Sequence, residues 1–183
     1  MKLTPTGIAG LLLAHTEYHR DSRGSFARLF CENELAAALD SRRIVQINHS
    51  CTRMAGAVRG LHYQRPPYAE MKMVRCIKGR VWDVAVDLRA GSPTMLRWHA
   101  EELSPESGRM LVIPEGFAHG FQAIEADSEL LYLHTAAYTP DFEAGLAYDD
   151  PRLAIPWPLK AVDLSPRDQQ HPAIGADFTG LNL

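Results

Sequence analysis

Residues 81–88 (Val-Trp-Asp-Val-Ala-Val-Asp-Leu) alternate without a break. Trp82, Val84, Val86 and Leu88 share one face of an extended chain, and Asp83, Ala85 and Asp87 share the other. That pattern commits the middle of the chain to strand. Residues 71–77 read as a preceding strand, with Lys78-Gly79 as the turn between the two. Further strands are predicted at 26–30, 44–49, 57–62, 96–102, 109–113, 119–124 and 129–138. Turn chemistry separates them at Gly91-Ser92-Pro93, Ser104-Pro105, Pro114-Glu115-Gly116 and Thr139-Pro140. A short helix is expected at 32–39, where Leu35, Ala36 and Leu39 form a narrow apolar stripe. From about Asp149 the tail carries Pro151, Pro156, Pro158, Pro166 and Pro172, and should wrap the body as loops and short turns. Many short strands at this spacing predict an all-β sandwich or barrel, one domain over residues 1–183.

Composition narrows the function classes. Apolar residues are 46% of the chain, enough for a substantial core. Nineteen basic against twenty-two acidic side chains give a net charge of -3, which excludes the basic footprint of a nucleic-acid binder. No apolar run approaches the ~20 residues of a membrane span. The apolar stretch near the N-terminus is short, broken by Pro5 and Gly10, and lacks a signal-peptide pattern. Cys31, Cys51 and Cys76 are too few and too scattered for a disulfide framework or a zinc knuckle. A cytoplasmic protein is expected.

Of the eight histidines, His15, His19, His49, His99 and His171 are read as surface or hydrogen-bonded side chains. His62 and His119 have more informative neighbours. His62 lies in Arg59-Gly60-Leu61-His62-Tyr63-Gln64, a fixed cation and a titratable base within four residues. In a regular strand the two would face opposite sides, so a shared pocket requires the backbone near Gly60 to leave ideal pleating. His119 ends a Pro-x-Gly-x-x-His run (Pro114 to His119) that resembles the second motif of the cupin superfamily. The first cupin motif supplies a His-x-His pair; this chain has His62-Tyr63-Gln64 there, so the ligand set is incomplete. A cupin-like barrel without a metal is expected. Tyr132, His134 and Tyr138 share parity and would line one face of an unbroken strand, inward or outward.

Taken together, the sequence resembles the dTDP-4-dehydrorhamnose 3,5-epimerase family from about Asp21 to Asp168. The resemblance rests on Asp21-Ser22-Arg23-Gly24-Ser25-Phe26, Gln46-Ile47-Asn48-His49-Ser50, Arg59 to Gln64 and Lys72-Met73-Val74-Arg75. It continues through Asp83 to Arg89, Ser92-Pro93-Thr94, Ile113 to Phe121, Asp150-Pro151 and Leu164 to Asp168. It implies a metal-free, cofactor-free cupin jelly roll, a homodimer with exchanged N-terminal strands, and a dTDP-linked 4-keto-6-deoxyhexose as substrate. By position, His62 matches the catalytic base, Asp168 its carboxylate partner and Tyr132 the general acid. Lys72 and His119 match pocket residues near the sugar. Arg23, Gln46, Asn48, Arg59, Glu143 and Arg167 match contacts to nucleotide or sugar, and Tyr138 is placed in or beside the site.

The implied chemistry suits these types. A C4 ketone acidifies the hydrogens on C3 and C5, and a neutral imidazole accepts a proton near neutral pH. A carboxylate on its other nitrogen fixes the tautomer, a lysine meets the enolate oxygen, and a phenol can return the proton to the opposite face. Two departures stand out. The family has Phe-x-Glu-x-Phe where this chain has Phe26-Ala27-Arg28-Leu29-Phe30, so Arg28 donates where a carboxylate accepts, and base recognition should differ there. Many members have Lys in place of Leu133. The alternatives are an epimerase of C3 only or C5 only, and a non-catalytic cupin that binds a sugar nucleotide.

Overall fold

A computed structural model describes residues 1–183, and antiparallel strands dominate it. In chain order they are β1 (Lys2–Pro5), β2 (Leu12–His15), β3 (Tyr18–Asp21), β4 (Gly24–Ala27), β5 (Gln46–Thr52), β6 (Val58–Gln64) and β7 (Lys72–Lys78). Then come β8 (Val81–Asp87), β9 (Trp98–Leu103), β10 (Arg109–Ile113), β11 (Phe117–Ala123), β12 (Ser128–His134) and β13 (Glu143–Gly145). A six-stranded sheet in the order β1-β2-β10-β7-β12-β5 faces a five-stranded sheet in the order β13-β6-β11-β8-β9. The β3–β4 hairpin stands apart as its own two-stranded sheet. This is the expected all-β, cupin-like jelly roll. No helix is long and apolar enough to cross a membrane.

Several boundaries differ from the sequence reading. The strand expected at 26–30 is Gly24–Ala27, the helix expected at 32–39 is only α1 (Ala36–Leu39), and the strand expected at 129–138 stops at His134. Strands β1, β2, β3 and β13 have no counterpart in that reading; each is three or four residues long, too short for a period to register. Lys78-Gly79 does turn the chain, but not into a hairpin. Strand β7 pairs with β10 and β12, whereas β8 pairs with β11 and β9, so the turn carries the chain from one sheet to the other.

Apolar side chains form three layers. Between the sheets lie Val74, Cys76, Val81, Ala85, Leu111, Phe117, Phe121 and Leu130. Outside the six-stranded sheet, Leu35, Ala38 and Leu39 cover Met73, Met110 and Leu133. Outside the five-stranded sheet, Leu153, Ile155 and Ile174 of the tail cover Val84, Val86 and Leu88. The apolar face of β8 therefore points outward, under the tail, and its carboxylates point into the barrel. Asp150 pins that tail: its carboxylate accepts the backbone N–H groups of Arg152 at 2.7 Å and Ile174 at 2.5 Å. At ~25 cal/mol per Å² of apolar surface removed from water, such a cover contributes as much as an inner core of equal area.

Two local features position the site. Strands β6 and β11 cross so closely that a Cβ on Gly60 would sit 2.5 Å from Gly120 Cα, and one on Gly120 would sit 2.7 Å from the Arg59 carbonyl oxygen. The register shifts between His119 and Phe121, and Gly60 has φ +119°. Pleating is broken there, and Arg59 and His62 line the same cavity. At the other end of the barrel, the buried Asp87 carboxylate accepts from Arg89 Nε at 2.8 Å, Ser92 Oγ at 2.6 Å and Thr94 Oγ1 at 2.7 Å. Arg89 Nη2 then donates to the Ala9 carbonyl at 2.6 Å, and Ala9 N–H donates to Thr94 Oγ1, which ties in the β1–β2 loop.

Burial alone would raise the Asp87 pKa, but the hydrogen bonds from Arg89, Ser92 and Thr94 outweigh it and bring the carboxyl down to about 2. A depressed native pKa adds stability that is complete above the unfolded value of 3.8 and is lost as pH falls toward about 2. Asp87→Asn should lower unfolding free energy near neutral pH by roughly 2 kcal/mol and flatten the acid limb of stability. Urea titrations at pH 7 and pH 3 measure both; an unchanged midpoint at pH 7 would contradict this role.

Candidate active site

A cavity of about 550 Å³ opens at one end of the barrel between the two sheets. Strand β6 brings His62 to one wall. Its Nε2 lies 2.6 Å from Asp168 Oδ1, and Asp168 sits on a one-turn 3₁₀ segment of the tail with its N–H donated to Ser165 Oγ at 3.1 Å. Burial works to raise the Asp168 pKa, yet the His62 hydrogen bond and charge, with Ser165, hold it below the usual carboxylate value. His119, on β11, is buried with Nε2 2.9 Å from Asp83 Oδ2, which comes from the inward face of β8.

The facing wall belongs to β7, β12 and β5. Tyr132 lies edge-on to His119, with ring centroids 6.2 Å apart, and its hydroxyl is 3.5 Å from Ser50 Oγ. Burial pushes its phenol far above the ordinary value, so the hydroxyl stays protonated. Lys72 is buried, its Nζ 3.2 Å from Glu70 Oε1. Arg59, Asn48, Glu143, Arg167 and Tyr138 also line the cavity. Tyr138 belongs to the rim: its ring is exposed, it lies beyond the end of β12, and its hydroxyl donates to Glu143 Oε2 at 2.8 Å. Arg167 Nη1 reaches the same oxygen at 2.6 Å. Gln46 stands just outside, donating Nε2–H to Asn48 Oδ1 at 3.2 Å.

Arg23 and Arg28 are not brought to this cavity within the chain. Arg23 is exposed on the β3–β4 hairpin and pairs with Asp21 at 2.6 Å. Arg28 follows the hairpin and pairs with Glu34. Glu70 is a cavity residue absent from the sequence reading, while Gln64 appears there only in place of the missing second cupin histidine and His134 only for its parity with Tyr132. Glu70 shares strand parity with Lys72, two positions on, and Asp83 lies on the polar face of the alternating run. His171, read as bland, sits 3.6 Å from Asp168 Oδ1, and its Nε2 is buried without a partner.

Could the cavity hold a metal? Gln64, at the position of the second cupin histidine, spends its amide elsewhere. It donates to the carbonyls of Tyr68 and Ala137 and accepts from Thr139 N–H at 2.6 Å. His62, Asp168 and His171 offer ligand atoms within 4.8 Å of one another. A cation there would have to break the 2.6 Å bond between His62 and Asp168.

Fold and cavity define the class: a cupin-type enzyme with titratable side chains on both walls of its barrel. The model of the dTDP-4-dehydrorhamnose 3,5-epimerase family matches residues 5–175, and the chain belongs to that family. The chain is 41% identical over 168 residues to a dTDP-4-dehydrorhamnose 3,5-epimerase of Sinorhizobium fredii, covering 91% of this chain and 86% of that protein. It is also 41% identical over 170 residues to a dTDP-4-dehydrorhamnose 3-epimerase of Streptomyces niveus, covering 92% and 82%. A crystal structure of dTDP-6-deoxy-D-glucose-3,5-epimerase from Legionella pneumophila, in complex with dTDP-4-keto-L-rhamnose, superposes with a TM-score of 0.91. It shares 37% identity, over 100% of this chain and 98% of that one.

Proposed function

We infer that this protein inverts C3 and C5 of dTDP-4-dehydro-6-deoxy-D-glucose to give dTDP-4-dehydro-L-rhamnose, by proton abstraction and opposite-face reprotonation through an enolate. The observation that carries this function is His62 on one sheet, held at 2.6 Å by Asp168 of the tail, with the Tyr132 phenol on the facing sheet of the same cavity. His62 is the base. Its Nε2 is committed to Asp168, which leaves Nδ1 to take the proton, and the carboxylate stabilises the imidazolium that forms. Lys72 supplies positive charge where the enolate oxygen develops. Tyr132 returns a proton from the other side. His119, held by Asp83, flanks the sugar, while Arg59, Arg167, Asn48, Gln46 and Glu143 serve the diphosphate, sugar and nucleoside, with Tyr138 at the rim. Forked guanidinium bonds suit a diphosphate. No step calls on a metal or cofactor, and a cytoplasmic setting fits a nucleotide-sugar substrate. The Streptomyces niveus relative, named as a 3-epimerase, supports a second reading in which C3 alone is inverted.

The active form is a homodimer with exchanged N-terminal strands. Strand β5 is an open edge of the six-stranded sheet, and Ile47 on it is 60% exposed. Phe26 on the detached hairpin is 70% exposed. Docking the hairpin on a partner's β5 edge would cover both and carry Arg23 and Arg28 to the partner's cavity. Ile47→Asp should shift the protein toward monomer in sedimentation and weaken dTDP binding; a wild-type protein that sediments as a monomer while fully active would refute the dimer.

Wild-type protein in D2O should exchange the C3 and C5 hydrogens, read by NMR; exchange at C3 alone would select the second reading. His62→Ala should cut turnover by ~10²–10⁴-fold, and Asp168→Asn should cut it severely but less. A near-normal rate in His62→Ala would remove the base assignment.

Tyr132→Phe keeps the ring and loses only the hydroxyl donor. The enolate still forms, and its easiest return is a proton from the imidazolium on the original face. Deuterium should enter the substrate with retained configuration while inverted product falls sharply, and Tyr138→Phe should disturb this less. Wild-type inversion by Tyr132→Phe alone would move the acid elsewhere.

A further inference from the structure

We propose that Glu70 and His134 are positioning residues through which one buried carboxylate aligns both ends of the cavity, the ammonium of Lys72 and the amides of Asn48 and Gln46. The strand registers set this up. Lys72, His134 and Gln46 lie in one row across β7, β12 and β5, and Val74, Tyr132 and Asn48 in the next row on the same face. Glu70, with its side chain only 8% exposed, reaches this row from just before β7. Its Oε1 holds Lys72 Nζ at 3.2 Å and its Oε2 holds His134 Nδ1 at 2.7 Å. Burial acts to raise the Glu70 pKa, but the His134 hydrogen bond and the Lys72 charge outweigh it, so the group is an anion.

The donor and acceptor roles then follow link by link. An ionised carboxylate only accepts, so Nδ1 of His134 carries the hydrogen that faces Glu70. At the far end of the line the backbone N–H of Tyr138 only donates, which orients the Gln46 and Asn48 amides and leaves His134 Nε2 as an acceptor. Asn48 Nδ2 lies 3.3 Å from that Nε2 and must donate to it. The amide is thereby oriented, and its Oδ1 accepts from Gln46 Nε2 at 3.2 Å. Gln46 Oε1 in turn accepts the backbone N–H of Tyr138 at 3.0 Å. Reversing either amide would set donor against donor, so the line has one arrangement from Lys72 to the rim. The His134 ring also lies nearly parallel to Tyr132, at 18° with centroids 6.1 Å apart, so fixing one ring steadies the other. This role rests on the epimerase reading, in which Lys72 meets the enolate and Asn48 and Gln46 meet the substrate.

The two ring nitrogens can be replaced one at a time. An Asn side chain presents an amide near the position of Nδ1, and a Gln side chain near that of Nε2. His134→Phe keeps the ring and removes both links; kcat should fall and KM rise, each roughly three- to tenfold, the value of one hydrogen bond. His134→Asn should recover kcat and leave KM raised, whereas His134→Gln should recover KM and leave kcat low. Three variants with wild-type constants, or with losses that merely follow their melting temperatures, would overturn the proposal. Nitrogen-15 NMR of the ring supplies a measurement independent of turnover. The wild-type ring should be the Nδ1–H tautomer at neutral pH, and Glu70→Ala should release that preference. An Nδ1-bare ring in the folded wild type overturns the relay whatever the protein acts on. The expected tautomer in a protein that exchanges no substrate hydrogen would instead overturn the epimerase reading alone.

Discussion

Charge placed inside the barrel is the constraint on which the other features depend. Glu70, Asp83 and Asp168 are all carboxylates with side chains less than a tenth exposed, and each meets a histidine nitrogen, at 2.7, 2.9 and 2.6 Å. A buried carboxylate without a partner costs several kcal/mol, so each of the three fixes the ring beside it. The rings come from β12, β11 and β6, which lie on both sheets, and the three pairs therefore set the walls of the cavity relative to each other. Space given to these groups is space withheld from an apolar core. The chain recovers that loss by covering the outer faces of both sheets, with α1 on one side and the tail on the other. Asp87 repeats the device at the far end of the barrel, where hydroxyls and Arg89 replace histidine and the gain is loop closure.

Much of the barrel was legible because its long strands alternate. The run at 81–88 is found as β8, and the proline-rich tail wraps the body as expected. Which face of β8 points inward was not legible, because the alternation is the same in either case. The answer comes from residues far along the tail, Leu153, Ile155 and Ile174, which claim the apolar face. Lys78-Gly79 read as a local turn for a similar reason: turn chemistry shows that a chain reverses, and pairing partners decide into which sheet. The short N-terminal strands carried no period to read.

At the site, the pattern surrounding Arg59 and His62 stated its own condition, a break in pleating near Gly60, and the close crossing of Gly60 and Gly120 meets it. Parity gathers Tyr132 and His134, and Tyr138 reaches the rim of the same cavity from beyond the end of β12, where strand parity no longer applies. Glu70 escaped notice as one more charged residue beside a Pro-Pro turn. Its meaning lies in Lys72, two positions on, and above all in His134, a neighbour across the sheet whose proximity is set by register and is written nowhere near it in the chain. Arg23 and Arg28 show the limit from the other side: motif position names them, and one copy of the fold leaves them in solvent.

His62 and Asp168 stand 106 positions apart, the first on a central strand and the second on the tail. During synthesis the strands that enclose the cavity leave the ribosome well before Asp168 does. The carboxylate that holds the His62 ring is therefore made more than a hundred residues after the ring itself, and the pair closes only when the tail wraps the five-stranded sheet. The tail thus does two things in one wrap, covering the apolar face of β8 and delivering a carboxylate to the cavity.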